Sequence, residues 1–80
     1  MSISKTHIRK ATDLKLGESS VIKGFENEHI SAKFMEIGCL PKSPIRLIRK
    51  GPAGKTMYLR INGNAFALRQ EEAAQIILKF

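Results

Sequence analysis

Met57-Tyr58-Leu59-Arg60-Ile61-Asn62-Gly63-Asn64-Ala65-Phe66-Ala67-Leu68-Arg69 is the stretch that decides the fold. Apolar and polar side chains alternate on both sides of Asn62-Gly63-Asn64, so each flank reads as a half-buried strand and the residues between as a hairpin turn. With Asn62 and Gly63 as the central pair, Leu59 faces Phe66 and Met57 faces Leu68. With Gly63 and Asn64 central, Ile61 faces Phe66 and Leu59 faces Leu68. Either register sends Met57, Leu59, Ile61, Phe66 and Leu68 to the core face and Tyr58, Arg60, Ala65, Ala67 and Arg69 to the outer face.

Moving towards the N-terminus, Gly51-Pro52-Ala53-Gly54 is a tight loop and Ile45 to Lys50 a further β-branched strand. Pro41 and Pro44 bar any helix there. Before them the period changes. Ile30, Phe34 and Ile37 fall at i, i+4 and i+7, the stripe of a short amphipathic helix over residues 28–37, with Asn27 as N-cap and Gly38 closing the end at positive φ. Ser20 to Phe25 is the first strand of the barrel, with Val21, Lys23 and Phe25 on one face and an alternation loosened at Gly24, as at a bend. Thr12-Asp13-Leu14 and Leu16-Gly17 form a short turn whose two leucines tuck under the barrel. Towards the C-terminus, Gln70 to Gln75 is one helical turn and Ile76 to Phe80 a last strand. Strand, short helix, hairpin, hairpin, helical turn, strand is the order of a mainly β, five-stranded SH3-like barrel.

The chain has 80 residues, about half the usual ~150-residue domain, so one domain is expected: a polar lead-in over 1–11 and the folded domain over 12–80. So small a core uses nearly all its apolar side chains for stability, which argues against a deep substrate cavity. Fourteen Lys and Arg against seven Asp and Glu give a net charge of +7, which favours anionic partners. A lone thiol, Cys39, suits a reducing compartment. Met1 to Ser20 has no apolar run of signal-peptide type, so the expected location is the cytoplasm.

No catalytic motif is legible. His7 and His29 are the only imidazoles and Cys39 the only thiol, and no pairing of them sits in a recognisable nucleophile motif. His29 reads as an exposed helix residue and Cys39 as a small apolar filler. Structural zinc normally needs four tightly spaced Cys or His ligands, which these three do not supply. Glu71 and Glu72 read as partners of a helix N-terminus rather than as oxygen ligands. The expectation is no enzyme activity, no metal site and no cofactor.

Leu16-Gly17, then Phe34-Met35-Glu36-Ile37-Gly38 with Cys39-Leu40-Pro41, then Pro52-Ala53-Gly54, and finally Ala67-Leu68-Arg69 with Glu72-Ala73 and Ile76, resemble the FeoA-type proteins in order and spacing. These are small cytosolic accessories of the FeoB ferrous iron transporter. The resemblance runs from Leu14 to about Leu78 and extends to the C-terminal domain of DtxR-type repressors, whose DNA-binding helix-turn-helix has no counterpart here. It implies a protein of ferrous iron transport, linked to transition metal ions at the level of the family, that docks on the cytoplasmic part of a FeoB-type transporter and is held through it at the inner face of the membrane. Two positions depart from the family. Lys42 stands where glycine is usual, which implies a type I turn at Pro41-Lys42 because lysine disfavours positive φ. Gly54-Lys55-Thr56 stands for Gly-Asp-Pro and turns an acidic loop basic.

The expected docking surface combines Gly51, Pro52, Ala53 and Gly54, a stiff apolar tip, with Tyr58, Arg60 and Arg69 on the outer hairpin face. Cross-strand geometry puts Tyr58 next to Arg69 in one register and near it in the other. Tyr and Arg are the types enriched where interfaces are most sensitive to truncation. Arg69 has a second reading, as a brace hydrogen-bonded to a loop carbonyl. A rival from another class is a small basic barrel that binds nucleic acid, for which Tyr58 is the only ring expected to be exposed. Weak nonspecific attraction to anionic membrane follows from the charge alone.

Overall fold

Hairpin alternation, helix stripe and turn chemistry assemble into one antiparallel sheet in the computed structural model, which describes residues 8–79. Strand β1 is Arg9–Lys10, and a 3₁₀ turn follows at Ala11–Asp13. Then come β2 (Ser19–Phe25), α1 (Glu28–Glu36), β3 (Pro44–Lys50), β4 (Thr56–Ile61), β5 (Asn64–Arg69), α2 (Gln70–Ala73) and β6 (Ile76–Leu78). The strands lie in the order β1-β6-β2-β3-β4-β5.

The decisive hairpin takes the first of its two registers: Met57 pairs with Leu68, Leu59 with Phe66 and Ile61 with Asn64. Asn62 and Gly63 both have positive φ, 51° and 84°, as a two-residue turn with the right twist demands. Met57, Leu59, Ile61 and Leu68 are buried, and Phe66 is half-buried against them. Leu47 pairs with Leu59 across β3 and β4, so Leu47, Leu59 and Phe66 form one layer across three strands. Ile22, Ile45, Ile76 and Leu78 complete the core from the other strands.

Asn27 caps α1 through its side-chain oxygen, which accepts from the Ile30 N–H at 2.9 Å, and Gly38 leaves the helix at φ 92°. Phe34 is the buried residue of the helix, and its ring stacks on Phe25 at 5.2 Å. The third residue of the stripe does not reach the core. Ile37 takes the cap conformation and is 52% exposed, while the Cys39 N–H bonds back to the Phe34 carbonyl and carries the Cys39 side chain into the space instead.

Three other expectations are corrected. Among the described residues, the sheet has six strands rather than five and is not closed: β1 and β5 are its two edges. The extra strand is Arg9–Lys10, two charged residues paired with Leu78 and Ile77, too short to show a period in the sequence. The part of the lead-in over 1–7 and the end of the last strand at Phe80 lie outside the described residues, and the described strand there is Ile76–Leu78. Leu14 tucks under the sheet as expected, but Leu16 is 69% exposed. Its turn is held by backbone instead: the Gly17 N–H donates to Leu47 and the Gly17 carbonyl accepts from Arg46 Nε at 3.1 Å.

Lys42 is the third correction, because it adopts φ 70° and not the type I geometry expected of lysine. Its N–H donates to the Ile22 carbonyl at 2.8 Å, so the tie to β2 holds the backbone in the conformation a glycine would take without strain. Lys42→Gly should therefore raise the unfolding free energy by about 0.5–1 kcal/mol, read from denaturant midpoints.

At the β1 side, Arg9 pairs with Glu18 and Lys10 with Glu26 at 3.7 Å. The Glu18 carboxyl is held below its usual range, first by the Lys15 N–H and then by Arg9. Its contribution to stability is thus present above the ordinary carboxylate pKa and is lost as pH falls through the lowered value.

Candidate functional site

The groups able to do covalent chemistry are dispersed. His29 is exposed on α1, His7 lies outside the described residues, and Cys39 is fully buried. Burial pushes the Cys39 thiol up to about 11, so at neutral pH it is a neutral apolar filler and not a nucleophile. No group of three or more His, Cys, Asp or Glu that could hold a metal ion occurs among the described residues. Glu72 is used locally: its carboxylate accepts the Arg69 backbone N–H at 2.8 Å, at the start of α2.

Charge is far more organised. Between Gly38 and Gln70 the sequence holds Lys42, Arg46, Arg49, Lys50, Lys55, Arg60 and Arg69 and no acidic residue, so this one segment carries the entire +7. That segment is β3, β4, β5 and their connections. On its outer face Arg46 pairs with Arg60 and Arg49 with Tyr58. Both ion pairs among the described residues lie instead at the β1 side of the sheet. Like charges in adjacent strands repel, so this arrangement raises the potential over the face and favours an anionic partner.

Alternation that buries Met57, Leu59 and Ile61 forces Tyr58 and Arg60 outward, and Ala65, Ala67 and Arg69 follow on β5. The alanines are too short to fill the surface, and a shallow depression of about 340 Å³ results, with Ile48, Arg49, Tyr58 and Arg60 around Ala65 and Ala67. Ile48 is 43% exposed at its rim. Tyr58 is not the freely exposed ring expected from the sequence. It is half-buried, with the Arg49 guanidinium 4.0 Å from its centroid, a cation–π contact worth about 0.5–1 kcal/mol at such a site.

The loop tip is brought to the same ring. A Cβ on Gly51 would meet Thr56 Cβ at 3.3 Å and Tyr58 Cε2 at 3.7 Å, so the backbone passes closely over both. Pro52 and Ala53 are exposed, and Ala53 is held at φ 60°. Arg60 reaches the Gly63 carbonyl at 3.3 Å, while Arg69 is exposed and pairs with Thr56 across the strands, diagonal to Tyr58. Bonds to loop carbonyls are made by Arg46, to Gly17, and by Arg60, to Gly63, and not by Arg69. Of the residues singled out in the sequence, Tyr58 and Arg60 line this depression, while Arg69 lies outside it beside Lys55 and Thr56. Ile48 and Arg49, which also line it, and Arg46, which pairs with Arg60, were not singled out; for the two arginines the acid-free run from Gly38 to Gln70 was the available signal.

A second depression, of about 310 Å³, lies between α1 and β5, with Ile30, Phe34, Ile37 and Leu68 among its lining and Lys33, Glu72 and Gln75 at its margin. Its charges are mixed, and it shares no residue with the cationic face.

A family model described as the FeoA domain matches residues 10–79. The solution structure of a FeoA-like protein from Clostridium acetobutylicum superposes with a TM-score of 0.81 at 23% identity, over 90% of this chain and 85% of that one. The crystal structure of Stenotrophomonas maltophilia FeoA complexed with zinc, described as a prokaryotic SH3 domain protein, superposes with a TM-score of 0.75 at 25% identity over 89% of each chain. A manganese-dependent transcriptional repressor shares the fold alone, with a TM-score of 0.75 at 15% identity over 89% of this chain and 40% of that one. No match is found among curated protein sequences.

Proposed function

The chain belongs to the FeoA domain family, and from that premise we propose that it is an accessory of ferrous iron transport that docks on the cytoplasmic part of a FeoB-type transporter and supports its assembly or activity. The observation that carries this reading is the separation of charge: the segment that forms β3 to β5 and their connections holds seven basic residues and no acidic one, and Arg46, Arg49 and Arg60 meet on its outer face around an Arg49–Tyr58 stack. Iron in this reading is the transporter's cargo. The S. maltophilia relative is described as a candidate ferrous iron transport activating factor, which supports the same direction. A cytoplasmic location at the inner face of the membrane follows from such a partner. No helix among the described residues is long and apolar enough to cross a membrane.

Gly51, Pro52, Ala53 and Gly54 with Tyr58, Arg60 and Arg69 form the contact. Arg60 and Arg69 are the cleaner probes, because both are exposed, whereas removing Tyr58 also removes its stack with Arg49. Immobilised protein should retain detergent-solubilised transporter, and Arg60→Ala and Arg69→Ala should each weaken retention with thermal midpoints nearly unchanged. Full retention by both variants would exclude this face.

Nucleic acid is the rival that the charge also favours. Tyr58 is stacked under Arg49, which leaves no free aromatic platform on the face. Oligonucleotide binding should therefore be nonspecific and collapse between about 50 and 200 mM salt. Sequence-selective binding that persists at the higher salt would favour the rival.

A further inference from the structure

Among the described residues, strand β5 pairs only with β4 and ends the sheet. The opposite edge, β1, is protected by its shortness and by Arg9 and Lys10, two of the usual devices against edge pairing. β5 has none of them over Asn64 to Leu68: no charge, no proline and no bulge in six consecutive pairs with β4.

Its backbone polarity follows from hydrogen bonds at its ends. The Asn62 N–H donates to Pro44 and the Gly51 N–H to Thr56, which turns the even-numbered residues of β4, Tyr58 and Arg60, towards β3. Gln70 donates to Lys55, so Asn64, Phe66 and Leu68 bond β4, and Ala65 and Ala67 turn their N–H and C=O groups to the open side. Further along, the Arg69 N–H is already taken by Glu72. The open window is thus Ala65 to Ala67, beside the depression rimmed by Arg49 and Arg60.

We infer that β5 is a strand-addition site for an extended acidic segment of a partner protein, which pairs with Ala65 and Ala67 and sets its carboxylates against Arg49, Arg60 and Arg69. Main-chain bonds supply the pairing in this mode, and side chains on alternate positions supply the selectivity. The two alanines leave the approach open, and the cations select an acidic strand. A second copy of this chain is disfavoured as occupant, because edge-to-edge pairing would bring two +7 molecules together at their most basic faces.

The probe is a synthetic peptide of about eight residues alternating glutamate and valine, near the usual strand length. It should bind saturably at physiological salt and slow hydrogen exchange at the Ala65 and Ala67 amides. Ala67→Pro removes an edge-facing donor without touching the ladder to β4, a position that tolerates proline. It should weaken binding about tenfold or more, and so should N-methylation of every peptide bond in the probe, which gives a reading even if the proline variant does not fold. Binding that survives both changes would be charge attraction alone and would overturn the inference, as would no saturable binding, or protection of Ala65 and Ala67 in concentrated protein without peptide.

Although this mode of contact rests on the docking reading above, the two fail separately. Transporter retention that is lost in Arg60→Ala but unchanged in a folded Ala67→Pro keeps docking and removes strand addition. A peptide that pairs with β5 in a protein that retains no transporter keeps strand addition and removes that partner.

Discussion

Leu59→Ala should lower the unfolding free energy by about 2–5 kcal/mol, measured by chemical denaturation, and leave a large fraction of molecules unfolded at 37 °C. Leu59 is 1% exposed and sits between Leu47 on β3 and Phe66 on β5. Removing it empties the middle of a layer that three strands share, and a domain of 80 residues has little other apolar surface to compensate. Leu16→Ala is the matched control. At 69% exposure Leu16 buries little, so its removal should change stability by no more than about 0.5 kcal/mol. Comparable losses at both positions would mean that Leu16 is packed and that the inner face of the hairpin is not the centre of the core.

Reversing charge at Arg49 and Arg60 together, both to Glu, should abolish transporter retention, a loss of about a hundredfold or more, because like charges across an interface cost several kcal/mol. Both side chains are exposed, so the cost to the fold is mainly the Arg49–Tyr58 contact, about 0.5–1 kcal/mol. The two reversals take the net charge from +7 to +3. Lys23→Glu with Lys33→Glu makes the same change on β2 and α1, also at exposed positions, and should leave retention within a few-fold of wild type. Equal losses in the two double variants would assign the attraction to net charge and not to this face.

The choice between the hairpin's two registers came from the structure. The hairpin was legible in its position and in the two faces of its strands, because alternation over 57–61 and 64–69 and an Asn-Gly turn act locally and agree with each other. So was α1, from its stripe and its two caps. What escaped was decided between segments. Ile37 fits the helical period, yet Cys39 takes its place because of a single backbone bond to Phe34. Leu16 is apolar and still exposed, since Gly17 docks on β3 through its backbone. Lys42 holds a positive φ that its side chain disfavours, and only the tie to Ile22 explains it. β1 is two residues long and has no pattern to read.

The candidate site divides along the same line. Alternation gave the outward direction of Tyr58, Arg60 and Arg69, but the neighbours that make them a surface come from β3. There a bulge between Leu47 and Arg49 sets which residue meets Tyr58. Bulge positions are fixed by how strands bend against one another, so the Arg49–Tyr58 stack had no local signal. The acid-free run, by contrast, is plain in the sequence, and its meaning emerges once β3, β4 and β5 are seen as neighbours.

Docking through the cationic face is tested most directly by amide spectra of the isotope-labelled protein recorded while the cytoplasmic part of a FeoB-type transporter is added. Shifted or broadened signals should cluster at Arg46 to Lys50, at the Gly51 to Gly54 loop, and along β4 and β5 through Arg69. Changes confined to Ile30, Phe34, Ile37 and their neighbours on α1, with β3 to β5 undisturbed, would contradict it.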